Sequence, residues 1–554
     1  MGIGDVLLER GLIRPEQLAE AVELRRTRGL RLDRALIELG HVSEQQVLEI
    51  MSEQLGIPLV DLPAVKVDTE ALRMLPAKLV FRKRLVPIER ANGVLKVATS
   101  DPFDLYAFDE IHLLTGQQVQ PVLAASEDID KVIKTYYGVG GNTVDEMMST
   151  DDLEVMDKDG SEDLLEMAQE ASVIKLVNEI FLEALSERAS DIHIEPYEKG
   201  LIIRYRIDGV LQEASLPPEI NRFQAAIVSR VKIMANLNIA EKRLPQDGRI
   251  KMQAGGRQID IRVSVIPMLF GEGVVLRILD KATVMYTLPQ LGMGPRDFAI
   301  FQQLIARPHG ILLVTGPTGS GKTTTLYAAL SAIVSPEIKV LTVEDPVEYH
   351  LDGVNQIQVQ PKVGMTFARG LRAILRHDPD VAMIGEIRDL ETAEAAIQAA
   401  LTGHLVFSTL HTNDACSAPT RLLDMGIEPF LITSTLEAAM AQRLVRTICP
   451  ACKQAHEPDR ANLPADFLLA PGAPLYRGAG CRKCRNTGFR GRTGLFELML
   501  INDAIRERIM ARTSVSQIIA AARDNGMHLL REDGWEKVRA GITTPEEVMR
   551  VTKA

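Results

Sequence analysis

The stretch VTGPTGSGKTTTL, Val314–Leu326, constrains this chain more than any other. It fits G-x-x-x-x-G-K-[ST], follows the apolar run Ile311–Thr315 and precedes a helix-forming segment. A strand, a glycine loop and a helix in that order predict a parallel α/β sheet holding a phosphate chain at a strand's carboxyl end. Glycines let successive backbone N–H groups close round phosphate oxygens, and the helix amino terminus adds partial positive charge. Gly316, Pro317, Thr318, Gly319, Ser320, Gly321, Lys322, Thr323 and Thr324 are therefore the candidate ATP contacts. Lys322 is placed to reach the terminal phosphates, and Thr323 to hold Mg²⁺.

From about residue 300 the runs GILLVTG, KVLTVED, DVAMIGE and HLVFSTLH alternate with helical segments, as a mostly parallel sheet covered on both faces requires. Two of these runs end in acids, Glu344 and Glu386. In such a sheet the carboxyl ends surround the ligand, so one carboxylate suits the metal and the other suits orienting or deprotonating water. Which of the two is the base stays open, because Gly385 precedes Glu386 where a plain Walker B motif has an aspartate. His404 and His411 flank the last run; His411, at its carboxyl end, is the candidate γ-phosphate sensor.

A chain of 554 residues exceeds what one core supports, so several domains are expected. Residues 1–62 read as a helical module of two hairpins, since LLERGLIRPEQL and LIELGHVSEQQV align with Gly11 and Gly40 in equivalent places. Residues 63–144 mix strand and helix patterns as a small α/β domain. Residues 145–170 hold eleven acidic residues and one lysine, the composition of a solvated linker. Residues 171–290 then alternate like an antiparallel sheet: Ile203, Tyr205 and Ile207 face one side, Arg204 and Arg206 the other, with Asp208-Gly209 as a hairpin turn. Arg249, Arg262 and Arg277 lie on the same domain, and an arginine aimed at the γ-phosphate from another subunit would aid phosphoryl transfer. The run SDIHIEP places Asp191, His193 and Glu195 on one strand face. Their spacing of about 6–7 Å between alternate residues is too wide for one ion, so a structural or interface role is expected.

Cys449, Cys452, Cys481 and Cys484 form two C-x₂-C knuckles, which predict a closed, structural Zn²⁺ site. Cys416 stands apart as a reduced, partly buried thiol. The net charge of −11 and the lack of a basic run argue against nucleic acid as a partner. The amino terminus MGIGDVLLER carries no targeting pattern, and no run approaches the roughly 20 apolar residues of a membrane span. A cytoplasmic protein, membrane-associated through its partners, is the expectation.

The ordered motifs GPTGSGKT, TVEDPVEY, DPDVAMIGEIRD, TGHLVFSTLHTNDA and QRLVR, followed by the tetracysteine, resemble the secretion ATPase superfamily, and most closely its type II secretion branch. The resemblance covers 171–554 closely and 1–140 more loosely. It implies an α/β chain: a RecA-like P-loop ATPase domain at 291–445, a PAS-like α+β sheet domain at 171–290, a zinc-binding insertion at 446–500 and a helical region at 501–554. It implies a homo-hexamer that hydrolyses ATP to assemble a pseudopilus for protein export, working with an inner-membrane platform protein and a membrane-anchored component facing the cytoplasm. Glu344 then carries the general-base role, Glu386 matches the Walker B glutamate, His404 and His411 match the histidine box, and Arg204 and Arg262 match arginine-finger or intersubunit positions. Type IV pilus assembly ATPases share these features and form the alternative; a DNA-transfer motor is the more distant one. Arg31–Gln54 also resembles a cyclic di-GMP module of pattern R-L-G-x₂-L-x₃-G-x₆-L-x₃-L-x₂-Q, with Asp33 in place of its glycine. A carboxylate there repels a diphosphate-like ligand, so docking to a membrane-anchored partner is the role expected of the hairpins.

Overall fold

A computed structural model describes residues 3–65, 67–72, 74–137, 170–254, 256–280, 286–458 and 463–552. The linker expected at 145–170 lies outside the described residues except for Glu170. The chain divides into two compact units, Met1–Gly255 with Asp260–Ile278, and Gly256–Ile259 with Leu279–Ala554.

The first unit opens with two helical hairpins, Ile3–Glu9 with Pro15–Arg28 and Leu32–Glu38 with Glu44–Leu55. Gly11 and Gly40 both take positive φ at the turns, and Ser43 caps the last helix by accepting from the Gln46 amide at 3.2 Å. Leu7, Leu36, Leu48 and Ile50 close the hairpins over a common core. A three-stranded sheet follows: β1 (Leu85–Ala91) pairs antiparallel with β2 (Val94–Thr99), which pairs parallel with β3 (Gln118–Leu123).

The same unit holds a six-stranded sheet, ordered β6-β5-β4-β9-β8-β7. Its strands are β4 (Asp191–Tyr197), β5 (Gly200–Ile207), β6 (Val210–Glu213), β7 (Gln246–Ala254), β8 (Arg257–Met268) and β9 (Gly271–Asp280). The alternation expected from sequence holds, with Ile203, Tyr205, Ile259, Ile261, Val263 and Val265 all buried. Asp208 and Gly209 take positive φ in the β5–β6 turn. The charged face is laced across strands: Arg204 pairs with Glu195, Arg277 Nε lies 3.0 Å from Asp191, and Arg206 Nε lies 3.6 Å from it. The SDIHIEP acids thus hold arginines, the structural role expected of them.

The second unit is built on a seven-stranded sheet, ordered β12-β11-β13-β14-β10-β15-β18. β10 (Gly310–Thr315), β11 (Val340–Glu344), β12 (Val354–Gln358), β13 (Val381–Ile384) and β14 (Leu405–Leu410) run parallel, as does β15 (Leu436–Ile448) beside β10. Successive residues of one strand feed opposite cores: Ile311 and Leu313 pack on one face, Leu312 and Val314 on the other. Burial on both faces is why these strands read as continuous apolar runs. β15 pairs antiparallel with β18 (Phe489–Leu500), and between them lies the small ribbon of β16 (Lys453–His456) and β17 (Leu475–Gly478). Among the described residues no helix is long and apolar enough to cross a membrane.

Candidate active site

The glycine loop leaves buried β10 and enters the helix Lys322–Ile333, as the motif requires. Gly316 has φ +148, and a Cβ there would stand 2.6 Å from Ser320 Oγ and 2.7 Å from the Gln442 carbonyl. Only glycine lets the chain turn that close to β15. Pro317, Thr318, Gly319 and Thr323 are exposed, while Ser320 is buried. Lys322 Nζ donates to the carbonyls of Gly316 at 2.8 Å and Pro317 at 3.0 Å, so the ammonium lies folded into the loop. Burial lowers its proton affinity, the Glu386 carboxylate raises it, and Arg443 lowers it again. Lys322 and Glu386 are therefore parts of one electrostatic site.

The two strand-end acids occupy different surroundings. Glu344 ends β11 and is buried, with Tyr327 donating to Oε2, Thr342 Oγ1 donating to Oε1 at 2.6 Å and Gln356 Nε2 donating to Oε1 at 3.1 Å. Burial pushes this carboxyl above the ordinary range, and the three hydrogen bonds offset that in part. Glu386 follows β13 and pairs through Oε1 with Arg388 and through Oε2 with His411 Nε2 at 3.0 Å. One acid is thus held by neutral donors and the other by cationic or imidazole groups, the division expected when two carboxylates serve different tasks.

His411 is half exposed at the carboxyl end of β14, joined to Glu386. His404 sits at the opposite end, where Nδ1 lies 2.9 Å from the Ala399 carbonyl and 3.0 Å from Thr402 Oγ1; it tethers the preceding helix and is not brought to the site. Arg204 is engaged by Glu195 within its own sheet, and Arg262 lies half-buried on β8.

Sequence reasoning missed the residues that hold the acids and the helix that follows the glycine loop. Tyr327 lies five residues beyond Lys322, Gln356 lies on β12, and Gln442 accepts from Thr325 Oγ1 at 2.8 Å. Arg388 and Gln442 sat inside quoted motifs, GEIRD and QRLVR, but nothing local to either motif says what its side chain reaches.

The four knuckle cysteines converge between β15 and β18. Their Sγ atoms all lie within 4.8 Å of one another, with Cys449–Cys481 at 3.8 Å and Cys452–Cys484 and Cys481–Cys484 both at 3.7 Å. A tetrahedron of thiolates bonded at about 2.3 Å has edges of about 3.8 Å, so the donor set fits Zn²⁺. Cys416 is buried against Met527, 3.8 Å away, and burial pushes its thiol well up.

Comparison with known proteins gives consistent matches. The family model described as "Type II/IV secretion system protein" matches residues 166–550, and one described as "MshEN domain" matches residues 55–143. The type II secretion system protein E of Xanthomonas campestris pv. campestris is 45% identical over 561 residues, covering 100% of this chain and 98% of that protein. The type IV pilus assembly ATPase PilB of Myxococcus xanthus is 44% identical over 561 residues, covering 99% and 98%. The type II secretion system ATPase E of Vibrio cholerae is 56% identical over 394 residues, covering 71% and 78%. Among solved structures, the Yersinia pseudotuberculosis ATPase DotB superposes with a TM-score of 0.51 at 23% identity, over 68% of this chain and 93% of that one, which shows a shared fold.

Proposed function

This chain is an ATPase of the type II/IV secretion system protein family, and from that membership we propose that its hydrolysis powers pseudopilus assembly for protein export by a type II secretion system. The observation that carries the reading is the identity gradient. Secretion ATPases match at 45% end to end and at 54–56% across 71% of the chain. The working form is a homo-hexamer in the cytoplasm, peripheral to the inner membrane, that pushes on a platform protein and is addressed by a membrane-anchored component.

Within the ATP site, Lys322 and the loop amides would hold the β- and γ-phosphates, and Thr323 with Glu386 would hold Mg²⁺. Glu344 takes the proton of the attacking water, and its supporting feature is burial, which raises its basicity toward the working pH. His411 relays the state of the γ-phosphate to Glu386. Arg204, after leaving Glu195, and Arg262 act from a neighbouring subunit. Cys449, Cys452, Cys481 and Cys484 would hold Zn²⁺ in a structural site that takes no part in the chemistry.

The hairpins dock to protein. Arg31 spends its guanidinium on Asp33, at 3.1 and 3.2 Å, and on Asp101, which disfavours cyclic di-GMP as its ligand.

The full-length match to PilB favours type IV pilus assembly as the second reading. Deletion of the gene, complemented by wild type or Lys322→Ala, tests both. Loss of exported enzymes with intact surface pili supports the secretion reading; loss of pili with intact export overturns it.

A further inference from the structure

β15 passes beside the glycine loop with Gln442 buried and Arg443 half-buried. Gln442 engages the loop at both ends. Its carbonyl crowds Gly316, its Nε2 would lie 2.8 Å from a Cβ at Gly321, and its Oε1 accepts from Thr325. Arg443 continues the contact outward: Nη1 donates to the Gln442 carbonyl at 3.1 Å and would lie 3.1 Å from a Cβ at Gly316. Nη2 reaches across to the loop that follows β14, donating to the Asn413 carbonyl at 2.9 Å and to Asn413 Oδ1 at 3.3 Å. Asn413 stands two residues after His411, whose ring is bonded to Glu386. One guanidinium thus joins β15, where it passes beside the phosphate loop, to the loop that presents His411.

The electrostatics say that this arginine is held at a cost. Burial lowers its proton affinity, and Glu497 and Asp414 offset that loss. Glu497 is itself buried and accepts from the amides of Ala415 at 2.9 Å and Leu530 at 3.2 Å, so it fastens the same loop from behind. A strand that only had to pack would do so more cheaply with an apolar side chain. What a guanidinium adds is a rigid, planar fork that can satisfy acceptors on two separate chain segments at once.

We propose that Arg443 is a positioning residue for ATP hydrolysis, tying the His411 loop to β15 where that strand packs on the phosphate loop, so that the Glu386–His411 pair keeps a fixed place beside the bound phosphates. The inference rests on the reading of Glu386 and His411 given above. Arg443 acts through that loop and not by contact with nucleotide. Its loss therefore weakens turnover and spares binding.

The test uses the full chain, with steady-state ATPase kinetics, methylanthraniloyl-ATP binding and thermal melting. Arg443→Gln lowers kcat about tenfold, the scale of a small misplacement of reacting groups, and leaves the nucleotide Kd within about twofold. Arg443→Lys, which can still reach the Asn413 carbonyl, recovers part of kcat. The double variant with His411→Asn turns over no more slowly than the worse single one, because both changes break one connection. Unchanged kcat in Arg443→Gln beside an impaired His411→Asn overturns this inference alone. So does a Kd that rises in step with the fall in kcat, or losses that multiply in the double variant. Full activity in His411→Asn overturns the underlying reading and this inference with it. If Arg443→Gln melts early, Arg443→Met decides, since it keeps the packing of the stem and removes the guanidinium: reduced kcat at unchanged Kd supports the proposal, and unchanged kcat ends it.

Discussion

Tyr327, on the helix that Lys322 opens, donates its hydroxyl hydrogen to the carboxylate of Glu344 at the end of β11. Burial and the neighbouring Glu344 push the Tyr327 hydroxyl up, so it stays un-ionised and remains a donor. The bond counters, in part, the burial that raises the Glu344 carboxyl. Removing it raises that carboxyl further, and a base works only when deprotonated. Tyr327→Phe therefore moves the acidic limb of the kcat–pH profile to higher pH and lowers kcat at neutral pH by about tenfold. It costs about 1 kcal/mol of stability. Because a buried acid with a raised folded pKa is best tolerated neutral, the stability difference from wild type is smallest below the unfolded value near 4.5 and grows as pH rises through the folded value. A profile that does not move would remove Glu344 from the base role.

The two acids separate by their metal dependence. Glu344→Gln lowers kcat by about 10²- to 10⁴-fold, the range of a lost general base, while the Mg²⁺ concentration for half-maximal rate stays the same. Glu386→Gln raises that Mg²⁺ requirement and frees Arg388 and His411, which pair with it now. Titrating Mg²⁺ at saturating ATP in both variants distinguishes the roles, and identical Mg²⁺ curves would refute the assignment.

What was legible in the sequence follows from how locally it is encoded. The glycine loop, the buried strand before it, the hairpin glycines and the cysteine knuckles each occupy a few consecutive residues, and the structure holds them as read. The alternating sheet of β4–β9 was legible because a period of two needs only one strand. The Glu344 cage was not: Tyr327, Thr342 and Gln356 arrive from a helix and two strands, and no pattern in any one of them names the carboxylate they share. His404 and His411 lie at opposite ends of one strand, and the strand–helix order of the sequence already put His411 at the carboxyl end. Only the direction of the parallel sheet, which gathers carboxyl ends, separates a helix tether from a site residue.

Glu547 anchors the carboxyl-terminal helix to β15. Burial alone would raise its carboxyl, but bonds from Arg446 at 2.6 Å and Arg550 at 2.7 Å, with the Arg446 amide at 3.2 Å, hold it down at about 2. A folded value below the unfolded one stabilises the protein above the unfolded value near 4.5, and that contribution disappears as pH falls toward 2. Glu547→Gln should lower stability by about 2 kcal/mol at pH 7, the half-exposed Arg550 being screened, with the difference from wild type shrinking at pH 3. Denaturant unfolding at the two pH values measures it, and a pH-independent difference would contradict the ion-pair account.

The cysteine cluster makes the last prediction, because its geometry specifies a metal and its position specifies a consequence. Cys449 directly follows β15 and Cys484 lies five residues before β18, so an ion held there would tie the two ends of the longest antiparallel pair in the second unit. Freshly purified protein should carry about one Zn²⁺ per chain by metal analysis, and a Cys452→Ser/Cys484→Ser variant should carry none. Thiolates must lose protons to bind, so release should steepen as pH falls, with uptake of protons. Chelation should lower the melting temperature while Cys416, buried against Met527, stays unreactive to thiol reagents until the whole unit unfolds. Equal zinc in wild type and the double variant, or a melting temperature indifferent to chelation, would show that the knuckles hold together without an ion.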